Sequence, residues 1–183
     1  GDGLIEELHA FGGRSFSIYN AETGEQVFDS GDDFEQITAL AVPDLFNSQD
    51  GDPGEFDDRS DDKGPEPESI TVGEVDGILY AFIALERTGG VMVYDITDPT
   101  DACFEQYIPL DGDVSPEGLQ FISPDDSPTG QALLAVASEE SETLTFVQFR
   151  DLDVAIYDIQ GEDHTANYLG EDVRTTGIVT AVD

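Results

Sequence analysis

Apolar and polar positions alternate in short runs at residues 15–19, 26–28, 69–72, 79–85, 91–96, 104–108, 119–122, 132–137 and 143–149. A period of two places every second side chain on one face, so each run predicts a half-buried β-strand. Turn chemistry fills the gaps, as in Asn20-Ala21-Glu22-Thr23-Gly24 and Asp98-Pro99-Thr100. Helical spacing occurs at residues 34–45, where Pro43 interrupts it. The pattern predicts an all-β fold with one short helix at most.

The strands repeat as a set. Pro67-Glu68-Ser69-Ile70-Thr71-Val72 aligns with Pro116-Glu117-Gly118-Leu119-Gln120-Phe121, 49 residues on. Ala81-Phe82-Ile83-Ala84-Leu85-Glu86 aligns with Leu134-Ala135-Val136-Ala137-Ser138-Glu139, and Val91-Met92-Val93-Tyr94 with Leu144-Thr145-Phe146-Val147, both 53 residues on. The extra residues fall at 123–130, a turn longer than Glu74-Val75-Asp76-Gly77, and turns absorb length where strands do not. Phe16-Ser17-Ile18-Tyr19-Asn20 marks an earlier unit by its likeness to Val91-Met92-Val93-Tyr94-Asp95.

Three or four strands per unit of about fifty residues is the spacing of a β-propeller blade. A β-sandwich has evenly spaced strands but does not predict an internal match of that length. The expectation is a partial β-propeller over residues 1–150, about three blades of a larger ring, since known rings hold ~4–8. Residues 47–67 carry almost no apolar side chains and are expected as an exposed acidic loop, either a mobile linker or one ordered by cations. The register changes again near residue 155, so 151–183 is expected to open a second β domain. The chain reads as a piece of a longer parent whose remainder covers the blade edges. Alone, it is expected to self-associate.

Charge changes the picture of the surroundings. There are 42 Asp+Glu against 6 Lys+Arg, a formal net charge of −36, and Lys63 is the one lysine. Direct nucleic-acid binding by residues 1–150 is excluded, because no basic cluster exists to neutralise phosphates. A basic membrane-surface helix is excluded as well, and no apolar run approaches the ~20 residues of a membrane span. Two readings account for the acid. In concentrated salt the Debye length falls to about 3 Å at 1 M, which silences repulsion between surface carboxylates. Alternatively, Ca2+ neutralises carboxylate-rich loops. Salt adaptation is the stronger reading, and the two are compatible. Cys103, the sole cysteine, sits between Ala102 and Phe104 and is expected to be buried and inert.

Several motifs occur in one order: Asp61-Asp62-Lys63-Gly64-Pro65-Glu66-Pro67-Glu68, then residues 86–99 (Glu-Arg-Thr-Gly-Gly-Val-Met-Val-Tyr-Asp-Ile-Thr-Asp-Pro), then Ser115-Pro116-Glu117-Gly118-Leu119. Together with Phe11-Gly12-Gly13-Arg14-Ser15-Phe16 they resemble the choice-of-anchor I family over residues 4–150. The resemblance implies a secreted or cell-surface β-propeller with an unidentified extracellular ligand or surface partner. Some relatives carry an alkaline-phosphatase label. Ser69 departs from the pattern, since a glycine is expected after Pro-Glu, as at Gly118. The tail from Ile156-Tyr157-Asp158-Ile159-Gln160-Gly161 to Val182 resembles the start of the OB-like domain of extracellular nucleases.

Glu68 and Glu117 are the leading candidates for chemistry, because they hold the same place in successive units at the start of what should be the innermost strands. Their carboxylates would converge on a cation or a polar ligand, or would cap backbone N–H groups at the blade rim. Asp57, Asp58, Asp61, Asp62 and Glu66 form the densest acidic cluster. Its oxygens suit Ca2+, although the spacing is not that of an EF-hand, and a solvated acidic loop fits it too. Arg87 suits an anionic ligand or an internal ion pair. His9 and His164 have no second zinc-type ligand at metal spacing. No nucleophile elbow or phosphate-cradling loop occurs. The functional expectation is a non-catalytic extracellular recognition or adhesion module, salt-adapted and stabilised by Ca2+, with a metal-dependent phosphoesterase or an accessory part of an extracellular nuclease as the alternative.

Overall fold

The computed structural model describes residues 12–149. A short antiparallel pair comes first, β1 (Ser17–Tyr19) with β2 (Gln26–Asp29). Its turn is set by Asn20, whose side-chain oxygen accepts from the amides of Glu22 at 2.9 Å and Thr23 at 3.1 Å. Helix α1 (Asp33–Ala41) follows and stops two residues before Pro43, which lacks the N–H that a further turn needs. Next comes a four-stranded antiparallel meander of β3 (Pro67–Val75), β4 (Ile78–Leu85), β5 (Val91–Asp95) and β6 (Cys103–Ile108). A three-stranded meander completes the set, with β7 (Pro116–Ile122), β8 (Leu133–Ser138) and β9 (Thr143–Gln148). The expected all-β character stands. The described residues form three separate sheets in sequence and do not by themselves close a ring.

One face of the first meander holds the core. Ala81, Ile83, Leu85, Met92 and Tyr94 pack against Phe16 and Phe34, with Ile18, Phe28 and Ile37 alongside. The Tyr94 ring meets Phe16 edge-on at 4.9 Å, and its hydroxyl donates to Asp33 in the first turn of α1 at 3.1 Å. Burying each such side chain stabilises the fold by about 1.5–3 kcal/mol relative to exposure.

The opposite face holds the second meander. Phe121 stacks on Phe82 at 5.8 Å, and a Cβ at Gly73 would run into the Phe121 ring. Strands β3 and β7 are both edges of their sheets, which leaves outward-facing backbone groups to satisfy. Hydroxyls of β3 take the donors of β7: Ser69 accepts from the Leu119 amide at 3.2 Å and Thr71 from the Phe121 amide at 3.4 Å. Serine in place of the expected glycine therefore has a physical use. It supplies an acceptor between the sheets.

The internal repeat is realised in backbone detail. The register slips between Pro67 and Ser69 in β3 and between Pro116 and Gly118 in β7, so Glu68 and Glu117 sit at equivalent bulges. The residues before the two prolines, Glu66 and Ser115, adopt left-handed φ values of 53° and 57°. Their carbonyls accept from the amides of Glu86 at 2.8 Å and Glu139 at 2.9 Å, which closes both bulges in the same way.

Cys103 corrects an expectation. It is exposed, because β6 is an outer edge strand whose first four residues face solvent. An apolar neighbourhood in sequence did not amount to a core. No helix among the described residues is long and apolar enough to cross a membrane. His9, His164 and the proposed second domain at 151–183 lie outside the described residues.

Gly73→Ala should lower unfolding free energy by about 1–3 kcal/mol, the usual cost of overpacking. Chemical denaturation in concentrated salt measures this, and adding Phe121→Leu should recover part of the loss. Additive losses in the double variant would mean that Gly73 does not make room for that ring.

Candidate functional site

The left-handed turn before Pro67 and the bulge after it aim three carboxylates at one point. Oxygens of Glu66, Glu68 and Glu86 lie within 4.8 Å of one another. Glu66 is 5% exposed and Glu86 is 4% exposed, whereas Glu68 faces solvent. Buried carboxylates are costly unless paired, and the chain supplies the partners. Arg59 and Lys63 bind Glu66, the latter at 2.5 Å. Arg87 binds Glu86 and Asp50, each at 2.5 Å, and its Nε lies 3.8 Å from Glu66. Asp50 also accepts from the Ser115 hydroxyl at 3.3 Å, which ties the loop to the start of β7.

Arg14 grips the same segment from its other side. It binds Glu35 at 2.7 Å and donates to the carbonyls of Ser60 at 2.6 Å and Asp62 at 3.1 Å. Asn47 donates to Glu35 at 2.8 Å and to the Ser60 hydroxyl at 2.9 Å. Of 6 Lys+Arg in the sequence, the four in the described residues, Arg14, Arg59, Lys63 and Arg87, all act here. Within the segment at 47–67, residues 52–58 are exposed as expected, but its two ends are not. Asn47 and Ser48 are fully buried, and the segment is held by the protein's own cations.

Proton affinities follow from this placement. Burial pushes Glu86 up, and a hydrogen bond from its carboxyl to Glu68 adds to the rise; Arg87 opposes it, and the result is about 7. Burial also pushes Glu66 up, but Lys63 and Arg59 prevail and hold it below its ordinary range. Asp50 is likewise low, with Gln49 and Arg87 outweighing burial. The Glu139 charge beside Glu117 raises that carboxyl, and Glu68 lies within electrostatic reach of it.

Glu68 and Glu117 are thus equivalent and mutually aware. Each has a second carboxylate next to it, Glu86 for Glu68 and Glu139 for Glu117. Glu117, Gly118, Ala137, Ser138 and Glu139 line an open cleft of about 320 Å³. Asp57, Asp58 and Asp61 are exposed and do not join the three clustered carboxylates. Asp62 pairs with Arg59 at 3.1 Å, and Asp57 accepts from the Ser60 hydroxyl. Glu86 and Glu139 went unremarked in the sequence as partners of Glu68 and Glu117. The offset of 53 that aligns one with the other was the available signal.

Residues 1–99 match the choice-of-anchor I domain. The chain belongs to the choice-of-anchor I family. This choice-of-anchor I chain is 31% identical to Gigasin-3a of Magallana gigas over 83% of its own length and 61% of that protein. It is 29% identical to the mesenchyme-specific cell surface glycoprotein of Strongylocentrotus purpuratus, over 51% of itself and 14% of that protein. It therefore spans less than two thirds of either relative. No solved structure matches it.

Glu86 is raised from an ordinary 4.5 to about 7, so its contribution to stability is complete below about pH 4.5 and lost as pH rises through 7. Glu66 and Asp50 are lowered, so theirs is present above the ordinary carboxylate range and lost as pH falls through the depressed values. Stability should therefore peak on the acid side of neutrality. At constant high salt, Tm should fall between about pH 5 and pH 8, and Glu86→Gln should flatten that fall. A wild-type Tm that rises across this interval would contradict the assignment.

Proposed function

We propose that this chain is part of a non-catalytic, extracellular recognition or adhesion module, built from β-propeller blades and adapted to concentrated salt. One observation carries the architectural part. Two meanders of matched register pack face to face, with their bulged first strands β3 and β7 side by side and joined by the Ser69 and Thr71 hydroxyls. Repetition of that step around an axis is what a propeller requires. In the longer relatives, further units would continue it. Family membership and the cell-surface name of the sea-urchin relative support an extracellular or cell-surface location. The formal charge of −36 supports a saline setting, where screening removes most of the self-repulsion.

Calcium belongs to the proposal as an added stabiliser at Glu68 and Glu86. Arg59 and Lys63 already neutralise Glu66, so the ion would lie between Glu68 and Glu86 and compete with the proton on Glu86. Its effect on Tm should then be larger at about pH 8 than at pH 5, and Glu68→Gln should remove it. The metal-dependent phosphoesterase alternative draws on the same three carboxylates, since a divalent ion there would also attract phosphate.

Phosphomonoester, phosphodiester and nucleic-acid substrates, offered with Ca2+ or Mg2+ in high salt, should give no turnover. Turnover that disappears in both Glu68→Gln and Glu117→Gln would replace the recognition reading with the enzymatic one.

A further inference from the structure

We draw no further inference here: the strongest candidate, the acidic cleft between the start of β7 and the end of β8, offers the carboxylates of Glu117 and Glu139 and no second feature among the described residues that points to a ligand, since the buried Ser138 lies on the inner face of β8 with Leu134 and Val136.

Discussion

Scarcity of positive charge governs how this protein is built. A chain with 42 acidic and 6 basic side chains cannot distribute ion pairs freely, and buried carboxylates have first claim on the cations. Glu66 is such a carboxylate. It is buried because its left-handed backbone and the following Pro67 turn the chain into β3, and its carbonyl closes the bulge by accepting from Glu86. Arg59, Lys63 and Arg87 gather around it, and Arg14 holds the same segment from the far side. Residues 47–66, polar enough to read as a loose loop, become an ordered strap across the start of the first meander.

That strap also defines the site. Arg87 reaches Glu86 and Asp50, and Asp50 reaches Ser115 at the start of the next meander, so one guanidinium links the loop with both repeats. The corresponding position in the second repeat is Glu140, which leaves Glu117 and Glu139 without a cation of their own in that place. Two equivalent backbone bulges thus carry opposite electrostatics. The first is laced with cations; the second opens an acidic cleft.

Apolar contacts between the meanders follow different rules. Hydroxyl acceptors on β3 and the missing side chain at Gly73 let β7 approach closely, and the stacked Phe82 and Phe121 rings fill the gap. Dispersion and burial of this kind are not weakened by salt, which suits a molecule whose charges need screening. Leu144 and Phe146 stand exposed, although their counterparts Val91 and Val93 are buried, and no described strand packs on that face of the second meander.

Much of this was legible in the sequence. Alternation located the strands, the offsets of 49 and 53 identified the repeat, and the placement of the difference in a turn was realised in the register of β3–β4 and β7–β8. The equivalence of Glu68 and Glu117 came from the same alignment. What the sequence could not convey was which side chains meet across the chain. Cys103 has apolar neighbours yet is exposed, because burial depends on whether a strand lies at the edge of its sheet. Asp57, Asp58 and Asp61 are dense in sequence yet stand apart from the clustered carboxylates, while Glu66, Glu68 and Glu86 converge from two strand ends. Local periodicity is written into each residue's neighbours, so the sequence alone determined the elements and their repetition. Ion pairing and burial are long-range competitions for few partners and little interior, and only the tertiary structure decided who won them.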